Sequence, residues 1–332
     1  MADQPIQTSV AVAPVRSEGI SARNWLERLL PYASVAVLFT ALSIVSPYFL
    51  TVSNLSSVAR QTAVINIIAL GMTLIMISGG IDLSVGSVLA FSGICGTTLL
   101  EAHASLFTAV AGAVLAGAAW GLLNSLVITL LKVSPFIATL GTMGVARGIT
   151  LVITGGLPVT SLPASFGELG DGNILRVIPV PLAILIVLAL VTGFILKYTR
   201  MGRYAYAIGS NVEAARYSGI PIRRYLISIY VFGGALTGLA GMIEFSRLMT
   251  GQPTAGQGYE LSVIAAVVIG GASLSGGEGT VTGTIAGAFL MSLISNGSNL
   301  LGVSPFWQQV VIGTIIVVAV AVDELRKRRR AI

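Results

Sequence analysis

Val177-Ile178-Pro179-Val180-Pro181-Leu182-Ala183-Ile184-Leu185-Ile186-Val187-Leu188-Ala189-Leu190-Val191-Thr192-Gly193-Phe194-Ile195-Leu196 is a run of twenty residues without a charge, and Lys197, Arg200 and Arg203 follow it. At about 1.5 Å per residue a helix of that length covers about 30 Å, the thickness of a bilayer's hydrocarbon core. A helix that is apolar on every side has no face for water, so this segment belongs in lipid. Similar runs occupy roughly 29–47, 61–78, 84–100, 105–131, 135–153, 226–244, 259–273, 280–300 and 306–323. The expected fold is an all-α, polytopic transmembrane helical bundle of about ten spans. The third, fifth and eighth runs are short or glycine-rich and are expected to be tilted, broken or re-entrant, which lipid tolerates only where protein covers the freed backbone groups.

Composition agrees. The 332 residues have a mean hydropathy of +0.90 and are 10% charged, against about 25% in soluble domains. An ordinary soluble enzyme is thereby excluded. Cys95 is the only cysteine, so no internal disulfide holds the fold. His103 is the only histidine, and one histidine with one cysteine cannot build a usual metal site. The net charge of +6 does not point to nucleic acid, because the basic residues fall in the connections between spans. With the N-terminus placed in the cytoplasm, fifteen of the nineteen basic residues fall on that side, Arg60, Arg176 and Arg247 fall opposite, and Arg147 lies inside a span. The positive-inside rule then places both termini in the cytoplasm. Residues 1–20 are polar, carry Pro5, Pro14 and Gly19, and read as a disordered N-terminus without a signal peptide. Residues 21–325 form the transmembrane domain, with a cytoplasmic loop over 197–225, and 326–332 form a basic tail.

Many of the 39 glycines sit inside apolar runs. Helices in lipid associate through close packing of small residues, and 112–119 and 234–241 read as two such surfaces, with Gly283 and Gly287 as a third. Ser78-Gly79-Gly80-Ile81-Asp82 recurs loosely as Ser275-Gly276-Gly277-Glu278-Gly279, and Val133-Ser134-Pro135-Phe136 recurs as Val303-Ser304-Pro305-Phe306. The first echo suits a parallel repeat and the second an inverted one, so a candidate duplication is visible but its symmetry is not. Leu274-Ser275-Gly276-Gly277-Glu278 resembles the signature loop of transporter ATPases, but the chain has no G-x-x-x-x-G-K-[ST] phosphate loop. Any ATP is therefore handled by another chain.

Ionisable residues inside spans need a reason, since a mid-bilayer charge costs about 2.5–3.5 kcal/mol on insertion scales. Asp82 suits the N-terminus of the third span, where a carboxylate is favoured. Arg147 suits pairing with a carboxylate or snorkelling. No chain of acids and histidine crosses the spans, which speaks against proton coupling. Asn66, Asn124, Thr139, Asn296, Gln308 and Gln309 offer neutral donors and acceptors for a hydroxyl-rich solute, or hydrogen bonds between helices. In the 197–225 loop, Ser210 and Glu213 form a capping-box spacing. Gly219 and Pro221 stop what Ser210 starts, bounding a short helix of about eight residues, about 12 Å long. A rigid helix standing in the most basic loop suits a lever for a soluble partner.

Here the chain resembles a known family. Gly209, Asn211, Ala214, Ala215, Arg216, Ser218, Gly219 and Ile220, with Glu213 between them, match the G-x-N-x-x-A-A-x-x-S-G-I motif of ribose-type importer permeases. Ser78-Gly-Gly-Ile-Asp-Leu-Ser84, Phe136-Ile-Ala-Thr-Leu-Gly-Thr142 with Arg147-Gly148, and Val268-Ile-Gly-Gly-Ala-Ser273 match further elements, in order, over about 60–320. The resemblance implies the membrane-spanning permease of an ATP-driven ABC importer in the bacterial inner membrane. It implies a sugar or sugar-like solute delivered by a periplasmic binding protein. It implies a second permease chain, surrounding lipid, and an ATPase subunit that binds ATP and Mg while this chain binds no cofactor. The 211–218 helix would dock into the ATPase, and Asn66, Asp82, Ser84, Asn124, Phe136, Thr139, Asn296 and Gln308 are the candidates for the translocation path. The rival reading is a stand-alone secondary transporter or facilitator for a small polar solute.

Overall fold

The computed structural model describes residues 22–330, so the 1–20 stretch lies outside the described residues, as do 331 and 332. Each of the ten expected runs falls on a helix: α1 (Ala22–Val45), α2 (Val52–Ile77), α3 (Val85–Glu101), α4 (Leu106–Leu130) and α5 (Pro135–Thr154), then α7 (Val180–Tyr198), α10 (Ile222–Leu248), α11 (Tyr259–Ile269), α12 (Val281–Leu300) and α13 (Pro305–Arg330). Of these, α2, α4, α5, α7 and α10 are long and apolar enough to cross a membrane by length and composition. Three short helices join them: α6 (Gly167–Asp171), α8 (Arg200–Ser210) and α9 (Val212–Tyr217). One departure from an all-α chain is a small antiparallel hairpin, β1 (Asn173–Ile174) with β2 (Ile178–Pro179).

The bundle is built around α2. Every residue from Thr62 to Ile77 is buried, and α10, α12, α7 and α11 all pack against it. This is the arrangement an all-round apolar helix requires when protein surrounds it. By contrast α5 and α7 are peripheral. Ile186, Val187, Leu190 and Phe194 point away from the bundle, an unfavourable arrangement in water but a neutral one against lipid tails.

The small-residue runs face each other as helix interfaces. A Cβ placed on Gly117 would collide with Gly234 O, one on Gly234 with Gly117 O, and one on Gly238 with Ala113 O. Gly283 and Gly287 approach Gly270 and Ala266 of the α11 region in the same way. Interhelical hydrogen bonds add to this packing. Thr73 and Thr284 share one at 2.7 Å between α2 and α12. Asn54 and Asn296 exchange two, at 3.2 and 2.8 Å. Side-chain hydrogen bonds between membrane helices are worth about 0.6 kcal/mol each. The Asn54→Ala/Asn296→Ala double-mutant cycle, read by unfolding in detergent, is therefore expected to return a coupling energy of about 1 kcal/mol.

The eighth run is broken. Among its residues α11 has only eleven in helix, about 16 Å, and 270–280 continue without helix. The connection 78–84 also runs mostly inside the bundle, and 249–258 dips into it at Gly251, Pro253 and Gly256 while Met249, Thr254, Gln257 and Gly258 stay exposed. The backbones of Gly86 and Gly256 touch, and a Cβ on either would strike the other's chain. Protein covers these segments where they are buried, at Asp82–Ser84, Pro253, Gly256 and Ala272–Ser273, and such cover is the condition for non-helical backbone within a bilayer.

Candidate functional site

Two constellations stand out, one at an end of the bundle and one within it. The end is made by α8 and α9. Thr199 caps α8 by accepting from Gly202 N at 3.4 Å. Helical backbone then continues through Ser210 and breaks at Asn211, which is extended (φ −160°, ψ 104°). This corrects the capping-box expectation. Ser210 closes α8, and Asn211 is the cap of α9, accepting from Ala214 N at 2.9 Å. Glu213 does not reach back but pairs with Arg216 at 2.9 Å. The helix is accordingly six residues rather than about eight, or about 9 Å. Its stop is as expected: Gly219 sits at φ +77°, a conformation that costs a side chain about 1 kcal/mol or more, and Pro221 follows. Ala215 alone of α9 is buried, while Asn211, Glu213, Ala214, Arg216, Ser218 and Gly219 are exposed and Ile220 is half-buried. Behind the peg, Gly209 packs into Ile77 O and Gly277 N.

The second constellation lies where the chain turns into α3. Asp82 is buried, and its Oδ1 accepts from Ser84 N at 2.8 Å and from Ser84 Oγ at 2.6 Å. The carboxylate thus closes the turn before α3, three residues ahead of its first helical residue, Val85. From α4, Asn124 Nδ2 donates to Asp82 Oδ2 at 3.3 Å and to Ser84 Oγ at 2.9 Å. On α5, Thr142 Oγ1 donates to Asn124 Oδ1 at 2.6 Å, and Thr139 Oγ1 accepts from Leu83 N at 3.1 Å. Four candidate path residues, Asp82, Ser84, Asn124 and Thr139, therefore form one network across three elements. Thr142 belongs to it as well; it closes the Phe136–Thr142 element but was not among the path candidates, although it stands three residues after Thr139 on the same helix face.

The other candidates are scattered. Asn66 is buried in α2, donates to Thr62 O at 3.1 Å, and leaves its Oδ1 without a hydrogen-bond partner. Asn296 is taken up by Asn54. Gln308 on α13 bonds Asn299 at 2.7 Å and Ser295 at 3.3 Å, and its neighbour Gln309 is exposed. Phe136 is exposed on the first turn of α5. Arg147 makes no ion pair within 4 Å among the described residues, although the Glu260 carboxylate lies near enough to act on it electrostatically. Its Nη1 donates to Pro253 O at 2.5 Å, with Gly86 O at 3.5 Å from Nη2. It thereby ties α5 to the first turn of α3 and to the 249–258 segment through main-chain oxygens rather than through a carboxylate. Tyr206, also unnoticed, donates to Gly279 O at 2.7 Å from α8. Burial pushes its phenol up, so it stays a donor across the physiological range.

The comparisons with known proteins follow this geometry. The family described as branched-chain amino acid transport system / permease component matches residues 54–320. The ribose import permease protein of Escherichia coli (strain K12) is 43% identical over 92% of this chain and 96% of its own length. The corresponding protein of Bacillus subtilis (strain 168) is 46% identical over 90% of this chain and 93% of its own. An L-arabinose ABC transporter permease protein of Azospirillum brasilense is 37% identical over 98% and 97%. No solved structure matches. Matched over most of its length by this family and by relatives that are themselves permease proteins, the chain is a transport permease rather than an enzyme: it belongs to the branched-chain amino acid transport system / permease component family.

Proposed function

We propose that this chain is the membrane-spanning subunit of an ATP-driven importer for a monosaccharide or closely related polyhydroxy solute. The observation that carries the reading is the α9 peg. It is short, capped at Asn211, stopped at Gly219 and exposed on every side but Ala215, and it stands on the end of the bundle richest in arginine and lysine. That end is assigned to the cytoplasm, with both termini, in a bacterial inner membrane. An ATPase subunit holding ATP and Mg receives α9, and a periplasmic binding protein delivers the solute to the opposite end. Relatives named for ribose and L-arabinose import support the solute class, as do the neutral donors and acceptors around Asn124. A second copy packs on α5, where a Cβ on Gly141, Gly144 or Gly148 would meet no atom of this chain within 4 Å.

The test is reconstitution. Vesicles holding this chain with its ATPase, supplied with binding protein and radiolabelled ribose, arabinose or allose, should accumulate a sugar only with ATP. Uptake by the chain alone would establish a facilitator instead. Arg216→Glu sharpens the test. Its pair with Glu213 is about 60% exposed on both sides, and such pairs contribute at most about 1 kcal/mol, so unfolding should barely change. Charge reversal on a docking face should weaken ATPase binding about tenfold for each 1.4 kcal/mol lost, lowering uptake in step. Unchanged uptake and ATPase affinity would remove Arg216 from the interface.

A further inference from the structure

The two glycine loops that echo each other in sequence meet in space, and α8 ends between them. Gly277 N donates to Ile77 O at 2.9 Å, joining the loop after α11 to the end of α2. A Cβ on Gly276 would lie 2.9 Å from both Gly209 Cα and Gly79 Cα, and one on Gly79 would lie 3.8 Å from Gly209 Cα and Ser275 O. A Cβ on Gly209 would fall 2.5 Å from Gly277 N and closer still to Ile77 O. Three segments from three parts of the chain therefore cross through residues without side chains, backbone on backbone. The Tyr206 hydroxyl adds a strut from α8 to Gly279 O at 2.7 Å.

We infer that this crossing of Gly79, Gly209 and Gly276 is a rigid joint through which displacement of α9 reaches two broken elements at once, the 78–84 turn into α3 and the 270–280 stretch into α12. The inference rests on the docking role proposed for α9. Its argument is mechanical. Asn211, the residue that breaks the helix, lies two positions from Gly209, so a push on α9 arrives at the crossing before any flexible side chain can absorb it. Close-packed backbone has no rotamers to yield. Each loop then leads inward. The 78–84 turn carries Asp82 and its network, and the 270–280 stretch opens α12 and its Thr284 bond to Thr73. A shift at the joint thus moves the polar cluster near Asn124 and the α2–α12 contact together, rather than one after the other. Each loop alone would be free to hinge at its left-handed glycines, at φ +80° for Gly79 and +88° for Gly276; interlocked, neither turns without the other.

The experiment uses the assembled transporter in a Cys95→Ser background. Spin labels at Arg203→Cys on α8 and Thr282→Cys at the start of α12, both exposed positions, report the distance across the joint. A second pair, Arg203→Cys with Leu115→Cys at an exposed position of α4, reports motion relative to the α4–α10 pair. The expected result is one unchanged distance across the joint, without nucleotide and with ATP trapped, while the second pair shifts. Tyr206→Phe should lower sugar moved per ATP hydrolysed several-fold while assembly with the ATPase persists. Separation of the first pair on ATP trapping, in a transporter that still imports, would overturn the joint and leave the proposed function standing. A complex in which ATP neither shifts the second pair nor drives uptake would refute the proposed function itself. A wild-type ratio of sugar to ATP in Tyr206→Phe would remove that strut and count against the joint.

Discussion

Asp82→Ala is expected to destabilise the permease by roughly 3 kcal/mol and to abolish uptake, whereas Asp82→Asn should cost about 1 kcal/mol and retain uptake. The carboxylate satisfies three donors: Ser84 N, Ser84 Oγ and Asn124 Nδ2. Alanine leaves all three facing a buried space. The Ser84 hydroxyl can rotate and the Asn124 amide keeps its bond to Ser84 Oγ at 2.9 Å, but the Ser84 N–H and the second Asn124 N–H cannot turn toward water. Each orphaned buried group costs about 1–3 kcal/mol, and the turn into α3 loses the contact that shapes it. Asparagine presents one oxygen to Ser84 as before, but its new NH2 would meet Asn124 Nδ2. Relief is available from Asn124 itself. Turning its amide over offers Oδ1 to the new NH2 and to the Ser84 hydroxyl, which turns its proton from residue 82 to Asn124, and Nδ2 to Thr142 Oγ1, which redirects its proton to Thr139 O, already 3.2 Å away. The measurement is unfolding in detergent for both variants, with uptake in vesicles. Equal damage from Asn and Ala would mean that the full carboxylate is required and that the network's hydrogen bonds alone do not explain Asp82.

That contrast also shows where the sequence was legible. Bilayer thickness imposes a one-dimensional rule, so twenty apolar residues before Lys197 could be read as a span without knowing any neighbour. The end of α9 was similarly local, because Gly219 and Pro221 stop a helix wherever it stands. Its beginning was not. Ser210 and Asn211 are both good caps, and the choice between them depends on how far α8 extends, which Thr199 and the packing of Gly202 and Gly209 decide. The polar network was half legible. Asn124 and Asn296 look alike in sequence, yet one joins Asp82 and the other is engaged by Asn54 on a distant helix. The inward dip of 249–258 at Pro253 and Gly256 was hidden altogether, since it depends on Gly86 meeting Gly256 and on Arg147 reaching Pro253 O, partners more than a hundred residues apart.

Gly234→Ala should be among the more damaging single methyls, costing about 3 kcal/mol or more, at or beyond the upper end of overpacking effects. The α4–α10 interface is the most extensive helix pair in the bundle. At Gly234 the new Cβ would collide with Gly117 O and lie 3.0 Å from Gly121 N. Its neighbours are backbone atoms of another helix, so no side chain can move aside, and the helices must separate along their length. Separation forfeits the dispersion contacts at Gly117, Gly121 and Gly238 together, and in lipid no hydrophobic force restores them. The control is on α5. Gly148→Ala places the same methyl on a helix in the same bundle, where nothing of this chain lies within 4 Å, so unfolding of the isolated chain should not change. If the second copy packs on that face, Gly148→Leu should weaken pairing and uptake without altering the fold of the single chain. The decisive measurement sets the yield of inserted, monodisperse protein and its unfolding midpoint beside the dimer fraction for each variant. Loss of fold in Gly148→Ala, or a normal midpoint in Gly234→Ala, would show that close backbone approach is not what holds α4 against α10.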